Sequence, residues 1–306
     1  MATISGEIRD ENGDLLADCI VRAYRRDTGV LLVEGLSGDG SEEGTGDADY
    51  ASVSLLLHCD GTDGGTTFTD NSPTPKTITV YGNAHIETDQ SKFGGASGAF
   101  DGSGDYLALA ADAAFNLYQV DATIECWVYL AGSGDRQIFG YNNTGASWWD
   151  VRVSSTNNVV VRLNSNTTTL TSSGTITPGQ WTHVAVVCAS QVTTIYLNGV
   201  ASGSRANGFD GGNGTYVLAI GRNTYGGAYD YYFNGYLDEI RITKDVARYT
   251  ANFTPPAAAF LEATIPAKPL GEYTLTTTYT DEVQVIALDP SGGTTFNDLI
   301  LRTTPV

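Results

Sequence analysis

Residues 181–199 constrain the fold more than any other stretch of this 306-residue chain. Residues 184–189 are all apolar, so both faces of the strand that they predict are buried and the strand lies inside a sheet. A second run, Val192–Leu197, is β-branched and aromatic, and the Asn198-Gly199 pair after it is the strongest short hairpin signal in a sequence. The stretch therefore predicts paired antiparallel strands at the centre of an all-β fold.

The composition agrees with this fold class and limits the partners. The chain contains 36 Gly and 17 Tyr, and its length suffices for two domains. Its 35 acidic residues outnumber 16 basic ones, which gives a net charge of −19 and argues against nucleic acid binding, because phosphate contacts require clustered Lys and Arg. The N-terminus resembles no secretory signal, and no apolar stretch approaches a membrane span. We therefore expect a protein made in a reducing cytoplasm, without membrane insertion.

The cysteines predict buried, reduced thiols. They are widely spaced and form no C-x-x-C pair, so a zinc site is not expected. A Cys126–Cys188 bridge between two strands is the alternative. The four cysteines are Cys19, Cys59, Cys126 and Cys188.

Five stretches in the middle of the chain carry a family resemblance. Trp181-Thr-His-Val-Ala-Val with Ile195-Tyr-Leu-Asn-Gly199 looks like the central hairpin of laminin-G-like, concanavalin A-like jelly-roll domains. The end, Phe233-Asn-Gly-Tyr-Leu-Asp-Glu-Ile-Arg-Ile242, resembles their specific closing pattern G-x-I-D-E-v-R-I. The resemblance implies a two-sheet sandwich over residues 53–264 that binds glycans or proteins through loops along one edge. Trp127 is expected to pack with Trp181 across the two sheets. The other three stretches are residues 54–61, 93–107 and 122–130, and residues 220–223 belong with the closing strands.

The two ends of the chain resemble parts of a second sandwich. Residues 1–40 resemble the start of a carboxypeptidase-regulatory-like (transthyretin-like) domain, and Gly271-Glu-Tyr273 matches the G-x-Y of its later strands. We infer one discontinuous domain, residues 1–40 and 268–306, with the jelly roll inserted into one of its loops after an acidic, Gly-rich linker at 41–52. Three consecutive units are the alternative, but strands within 1–40 alone would leave open edges and too little core.

An aspartate near the end of the jelly-roll region is the strongest candidate metal ligand. Period-two alternation places Asp238 on the same side of its strand as Ile240 and Ile242, which should face inward. A buried carboxylate needs a cation or several hydrogen-bond donors. The resemblance implies calcium at the sandwich edge near such an aspartate, and calcium prefers oxygen ligands. The alternative is that Asp238 caps backbone amides or pairs with Arg241 or Arg222. The candidate calcium ligands are Asp60, Asp63, Asp70 and Asp238.

Two aromatic clusters, residues 147–150 and 225–233, predict a recognition surface. Flat rings beside Asp and Asn suit sugars, and Tyr with Gly and Asn is also typical of loops that bind proteins. In the Trp148-Trp149 pair one ring should point into the core and one outward, so part of each cluster is structural. The candidate ligand-binding residues are Trp148, Trp149, Asp150, Tyr225, Tyr229, Asp230 and Tyr231.

The sequence does not favour an enzyme. Glycoside hydrolases require two carboxylates that face each other across a cleft, whereas Asp238 and Glu239 are adjacent and expected on opposite faces. The laminarinase-like pattern E-x-D-x-x-E is absent, and the three histidines lie in unrelated contexts. We expect no catalytic residue.

Together these features predict a non-enzymatic structural or accessory protein of a bacteriophage virion, associated with its tail or capsid. The virion context comes from the resemblance, since both modules are frequent in phage structural proteins. The discontinuous sandwich would contact other virion proteins, and the jelly roll would bind a host-surface glycan; a homo-oligomer is compatible with this role. The alternatives are a bacterial cell-surface adhesin or carbohydrate-binding module and, less favoured, a polysaccharide depolymerase.

Overall fold

The regular secondary structure in the computed structural model of the protein is almost wholly antiparallel strand, which confirms the all-β prediction. It describes residues 2–7, 20–25, 31–36, 47–132, 134–141, 149–163, 168–206, 208–209, 215–223, 231–262, 272–277, 282–288, 295–302 and 304–305. The helices in these ranges are two short 3₁₀ turns, Tyr50–Ser52 and Ala113–Phe115. No helix in this part of the chain is long and apolar enough to cross a membrane.

The strands fall into two compact units, residues 1–46 with 264–306 and residues 47–263. In chain order they are β1 (Ala2–Glu7), β2 (Ile20–Arg25), β3 (Leu31–Leu36), β4 (Val53–Leu57), β5 (Ile78–Tyr81), β6 (His85–Glu87), β7 (Ser97–Asp101), β8 (Tyr106–Leu109), β9 (Ala122–Leu130), β10 (Arg136–Tyr141), β11 (Trp149–Val153), β12 (Asn158–Leu163), β13 (Thr168–Thr175), β14 (Trp181–Ala189), β15 (Val192–Leu197), β16 (Val200–Ala206), β17 (Leu218–Ile220), β18 (Asn234–Lys244), β19 (Glu272–Thr277), β20 (Glu282–Leu288), β21 (Thr295–Arg302) and β22 (Thr304–Pro305).

In the first unit, strands from the two ends of the chain pair with each other. One sheet has the order β19-β1-β22, with Ile4 opposite Leu275. The other has the order β21-β20-β2-β3, with Ala23 opposite Val285. The backbone hydrogen bonds of β1 and β2 are therefore completed by strands more than 200 residues further along the chain. The resemblance of this unit to a transthyretin-like sandwich stays a prediction.

The second unit is a sandwich of two antiparallel sheets. A seven-stranded sheet has the order β13-β12-β11-β10-β17-β8-β5, and an eight-stranded sheet has the order β16-β15-β14-β9-β18-β7-β6 with β4 added against β18. The core lies between the sheets and is filled by alternate residues of each strand, as in β9, where Ile124, Cys126 and Val128 are fully buried. We call the face of each sheet that is turned away from this core its outer face.

The stretch at 181–199 forms the predicted strands. In β14, Val184, Val186 and Cys188 belong to the core between the sheets. Ala185 and Val187 lie on the outer face, where they form a second apolar cluster. β14 pairs with β15, and Asn198-Gly199 turns the chain from β15 into β16, which confirms the hairpin.

Residues 245–262, a segment without strands that we call the strap, cover the outer face of the eight-stranded sheet. The rings of Tyr249 and Phe253 stack 3.6 Å apart, and Phe260 packs on Val53 and Leu56. This cover explains why β14 is buried on both faces.

Residues 47–52 belong to the second unit, although the sequence assigned them to the linker. The Asp47 carboxylate accepts hydrogen bonds from Arg248 at 2.7 and 2.9 Å and from Arg241 at 3.2 Å. The backbone N–H of Asp47 donates to the carbonyl of Glu262 at 2.8 Å. The acidic residues at 47–52 therefore belong to an ion-paired segment, not to a flexible linker. Residues 41–46 of the predicted linker lie outside the described ranges.

The predicted packing of Trp127 with Trp181 across the sheets is wrong. Their strands, β9 and β14, are neighbours in one sheet, with His183 opposite Trp127 and Trp181 opposite Tyr129. Trp127 lies on the outer face, where its ring meets Phe93 edge-on at a centroid distance of 5.8 Å. Its burial comes from segments packed on the outside of the sheet.

The described cysteines, Cys59, Cys126 and Cys188, are buried free thiols. Cys126 lies opposite Val184, so Cys188 is four residues further along the paired strand. That offset corresponds to about 13 Å, which is too far for a disulfide. Cys19 lies outside the described residues.

Candidate functional site

The predicted calcium ligand Asp70 is occupied by hydrogen bonds from its own loop. One carboxylate oxygen accepts from the N–H groups of Leu56 at 3.1 Å and Ser72 at 2.9 Å. The other accepts from the N–H of Lys76 at 2.8 Å and the hydroxyl of Ser72 at 3.0 Å. Asp70 is buried and joins the 70–76 loop to β4. Its role is structural.

Asp238 does not face the core as period-two alternation predicts. A register shift between Asp238 and Arg241, with Glu239 at φ 49°, forms a β-bulge in β18. The bulge places Ile240 in the core while Asp238 lies on the outer face opposite Trp127. The sequence carries no glycine or proline signal for this irregularity.

The contacts of Asp238 match the amide-capping alternative. One carboxylate oxygen accepts from the N–H groups of Lys92 at 2.7 Å and Phe93 at 3.1 Å, and the other from Glu239 at 2.8 Å. Burial raises the pKa of Asp238 to about 7, against the opposing effect of these donors.

The four predicted ligands do not fit a calcium site. Asp60 and Asp63 are exposed, and the carboxylates of Asp70 and Asp238 face N–H dipoles that would repel a cation. Within the described ranges, no three His, Cys, Asp or Glu side chains come together as metal ligands.

Trp149 and Asp150 cannot contact a ligand, so their assignment to the recognition surface is wrong. Trp149 is fully buried, stacks with Tyr141 and donates its indole N–H to the carbonyl of Phe115 at 3.3 Å. Asp150 is fully buried and accepts two hydrogen bonds from Arg162, at 2.6 and 3.0 Å. Alternation required one ring of the Trp148-Trp149 pair to point inward without deciding which, and Trp149 points inward. Trp148, Tyr225, Tyr229 and Asp230 lie outside the described residues.

Tyr231 is half-buried, and the guanidinium of Arg152 lies 5.5 Å from the centre of its ring. Its carbonyl accepts a hydrogen bond from the N–H of Gln137 in β10 at 2.8 Å. Tyr231 therefore lies beside the seven-stranded sheet.

A row of aromatic rings lies on the outer face of the same sheet; it joins Tyr232 of the predicted 225–233 cluster to two tyrosines that the sequence did not single out. Tyr81 in β5 is directly opposite Tyr106 in β8, and the two rings stack 4.3 Å apart at an angle of 3°. Tyr232 follows with its centroid 6.4 Å from that of Tyr106. The Arg222 guanidinium lies 4.9 Å from the Tyr106 ring and 5.7 Å from the Tyr232 ring. We call Tyr81, Tyr106, Arg222 and Tyr232 the tyrosine ladder.

The position of Tyr81 makes the ladder accessible. β5 is the terminal strand of its sheet, and the Tyr81 side chain is 44% exposed. Because cross-strand rings stand roughly perpendicular to the sheet, the open face of Tyr81 is directed past the sheet edge. The ladder thus combines a flat apolar face with phenol hydroxyls and a guanidinium.

A separate polar cavity of about 250 Å³ is lined by His58, Cys59, Asp60, Thr69 and Asn71. The Nδ1 atom of His58 lies 2.9 Å from Glu239 Oε1, and its Nε2 lies 3.6 Å from Glu262 Oε1. Burial lowers the pKa of His58, but the hydrogen bond and charge of Glu239, together with the charges of Glu262 and Asp60, outweigh burial and raise it overall. These pairs join β4, β18 and the strap.

Comparison with known proteins identifies the fold of the second unit. A laminin G family model, described as the concanavalin A-like lectin/glucanases superfamily, matches residues 101–248. The binding domain of Paraclostridial Mosquitocidal Protein 1 is similar in structure, with a TM-score of 0.51 and 14% identity over 65% of this chain and 50% of that chain. The botulinum neurotoxin serotype D binding domain has a TM-score of 0.50 and 13% identity over 66% of this chain and 50% of that chain. Residues 47–263 have the concanavalin A-like fold.

A third structure, domain 4 of the extracellular arabinanase AbnA from Geobacillus stearothermophilus in complex with arabinotriose, has a TM-score of 0.49 and 20% identity over 63% of this chain and 93% of that chain. This chain spans only about half the length of the two toxin binding domains. No curated protein sequence matches it.

Proposed function

We propose that residues 47–263 form a glycan-binding module and that the tyrosine ladder is its recognition surface. The observation that carries the proposal is the stacked Tyr81–Tyr106 pair, which presents an exposed ring at the edge of the seven-stranded sheet. The matched superfamily, whose description names lectins, supports a role in sugar binding.

The ladder suits a sugar for physical reasons. A pyranose has an apolar face of C–H groups that packs against the electron-rich face of a tyrosine ring, and hydroxyls around its rim that need hydrogen-bond partners. Tyr81 supplies the ring, the Tyr106 phenol stacks against it, and the Tyr232 phenol lies on beyond Tyr106. A tyrosine loses little conformational entropy on binding, which favours it as a contact residue.

We propose that the module binds without cleaving its ligand. Glycosidases need two carboxylates on either side of the scissile bond. Beside the ladder, Asp105 is buried and accepts the backbone N–H groups of Asn83 at 2.7 Å and Asp101 at 2.9 Å. Farther along the sheet, Asp150 is fully buried against Arg162, and Asp135 lies 3.9 Å from Arg152. Asp238 and Glu239 lie in the eight-stranded sheet, and their carboxylates accept hydrogen bonds from the backbone N–H groups of Lys92 and Phe260.

The test of glycan binding is a glycan array probed with the whole chain and two tyrosine variants. We expect Tyr81→Ala to weaken binding about tenfold, as expected for the loss of one stacked aromatic contact. Tyr118→Ala is the matched control, because Tyr118 is 37% exposed but lies outside the ladder. Unaltered binding by Tyr81→Ala, or absence of any glycan ligand, would overturn the proposal.

We also propose, from the resemblance of the two units to phage modules, that the protein is carried on a bacteriophage particle. The first unit would contact other virion proteins while the second binds glycans on the host surface. Mass spectrometry of purified particles should detect the chain in stoichiometric amounts. Its presence in the envelope of uninfected bacteria would instead indicate a cell-surface adhesin.

A further inference from the structure

We infer that a second site, for neutral saccharide chains, lies on the outer face of the eight-stranded sheet. It is formed by Trp181, Tyr129 and Tyr236, which we call the aromatic platform. These residues lie directly opposite one another on the adjacent strands β14, β9 and β18. The ring centroids of Trp181 and Tyr236 each lie 5.6 Å from that of Tyr129. The inference goes beyond the proposed function, because the platform does not need the ladder, which lies on the other sheet.

The platform is accessible where the neighbouring side chains are covered. The next row on the same face contains His183 opposite Trp127, and both are buried. Phe253 of the strap meets His183 edge-on at a centroid distance of 5.8 Å, and the Lys92 ammonium lies 4.0 Å from the centre of the Trp127 ring. The three platform rings, in contrast, are only half-buried. The cover of the sheet therefore ends between the two rows and leaves the platform partly open to solvent.

Two buried polar atoms beside the platform lack a hydrogen bond. Trp127 precedes Tyr129 by two residues and His183 follows Trp181 by two, so both lie on the face of the platform. Neither Trp127 Nε1 nor His183 Nδ1 has a hydrogen-bond partner among the residues that the structure describes. Buried polar groups are nearly always paired, and an unpaired one costs free energy. Sugar hydroxyls, which both donate and accept, suit these atoms, and a hydroxyl would reach Trp127 by displacing the Lys92 side chain.

The size of the platform fits a saccharide chain better than a protein partner. Three half-buried aromatic side chains together expose on the order of 200 Å². A stable protein interface takes about 800 Å² from each partner. One ring stands on each of three strands that are about 4.8 Å apart, so a short chain of sugars can stack across the strands.

The polar groups around the platform carry charges of both signs. Lys92 lies over Trp127, as described above. On the other side, burial and next the charge of Glu87 raise the pKa of the Tyr236 phenol, so a carboxylate lies near that ring. Glu87 also lies 3.7 Å from His85. Hydroxyl groups bond to donors and acceptors alike, whereas a charged ligand would meet a like charge on one side.

The experiment uses an array of neutral gluco-, xylo-, galacto- and arabino-oligosaccharides, from monosaccharides to hexasaccharides. The whole chain is compared with Tyr81→Ala, in which the ladder has lost its exposed ring. Trp181→Ala, Tyr236→Ala and the conservative Trp181→Phe are each added to the Tyr81→Ala chain. Tyr118→Ala is the control for the loss of an exposed tyrosine outside both surfaces. Circular dichroism shows which variants are folded.

We expect the Tyr81→Ala chain to retain oligosaccharide ligands and to prefer trisaccharides to monosaccharides, because three rings are available for stacking. Trp181→Ala and Tyr236→Ala should each weaken the retained binding about tenfold, as expected for the loss of one aromatic contact. Trp181→Phe, which keeps a ring, and Tyr118→Ala should preserve it. If Trp181→Ala does not fold, Tyr236→Ala at the other end of the platform decides.

The outcomes separate the two proposals. If Tyr81→Ala abolishes all binding, or if the platform variants bind as tightly as their parent chain, this inference is overturned while the ladder proposal stands on the effect of Tyr81→Ala. If the platform variants lose binding and Tyr81→Ala alone does not, this inference stands and the ladder proposal is overturned. A failure to bind any glycan on the array would refute both.

Discussion

Gly199 meets two separate requirements at the turn between β15 and β16. Its φ is +75°, which L-residues other than glycine rarely adopt, and Asn198 before it is also left-handed at φ 48°. A Cβ at this position would lie 1.9 Å from the carbonyl oxygen of Phe253 in the strap. The turn therefore connects two strands of a hairpin and also binds the strap. The N–H of Phe253 in the strap donates a hydrogen bond to the Gly199 carbonyl at 2.9 Å.

These two requirements can be separated by comparing glycines. Gly64 has φ +70°, but no atom lies within 4 Å of the point that an added Cβ would occupy, so Gly64→Ala measures backbone strain alone. We expect Gly64→Ala to reduce the free energy of unfolding by about 1 kcal/mol. Gly199→Ala should cost about 3 kcal/mol, because the strap backbone must also move. Urea denaturation measures both, and equal costs would show that the strap contact contributes nothing.

Asp238 should make stability depend on pH in an unusual direction. A carboxyl group with a folded pKa of about 7 and an ordinary value of 3.8 binds its proton more tightly in the folded state. Its contribution is present below about pH 4 and is lost as the pH rises to about 7, by up to about 4 kcal/mol.

The Asp238→Asn variant should lack this part of the pH dependence. The free energy of unfolding, measured by urea denaturation between about pH 4 and about pH 8, should therefore fall less steeply than in the unaltered protein. Asparagine keeps the side-chain shape and one acceptor oxygen. A loss of stability that is equal at every pH would therefore not contradict the prediction, which concerns only the pH dependence. Parallel profiles for the two proteins would contradict the assignment.

Single residues were predictable where strand alternation alone decided their position. It required one ring of the Trp148-Trp149 pair to face inward, and Trp149 does so; the same alternation puts Tyr81 and Tyr106 on the outer faces of β5 and β8. That these tyrosines stack could not be predicted, because their strands are separated by 24 residues in sequence and by β6 and β7 of the other sheet. A recognition surface built by long-range pairing leaves no local motif.

At the scale of elements, β18 shows how one irregularity changes a predicted site. The bulge at Glu239 reverses the side on which Asp238 lies, so the expected inward carboxylate becomes an amide cap on the outer face. It also turns Glu239 toward β4 and the strap, where its carboxylate accepts the N–H of Phe260 at 2.7 Å and pairs with His58. A bulge re-aims the side chains of its strand in this way.

The pairing with Glu239 can be tested through the pKa of His58. Burial lowers that pKa and Glu239 raises it, so removing the charge in Glu239→Gln should bring it below the ordinary value of 6.5. An NMR titration of the His58 ring protons measures the change. The control is Glu262→Gln, which should lower the pKa less, because Glu262 is 53% exposed and 3.6 Å away. Equal effects of both variants would place the dominant charge elsewhere.

At the scale of the whole molecule, the second unit begins and ends at one place. The N–H of Asp47 donates to the carbonyl of Glu262, and Asn71 donates to the side chain of Glu262 at 2.9 Å. A segment whose ends meet can be inserted into a loop of another domain with little strain. The sequence indicated this arrangement through the G-x-Y match near the C-terminus, whereas the ion pairs of Asp47 gave no sequence signal.

Because β1 and β2 pair with strands from 272–305, the first unit should fold when the inserted unit is replaced by a short linker. We expect residues 1–46 joined to 264–306 through about six Gly and Ser residues to give a cooperative, strand-rich protein, since a short flexible linker of this length spans about 13 Å. Circular dichroism and denaturant titration measure the outcome. The peptide 1–46 alone is the control and should remain unfolded, because its strands then lack their partners. A folded 1–46 peptide, or an unfolded joined protein, would show that the ends of the chain do not form one domain independently of the insertion.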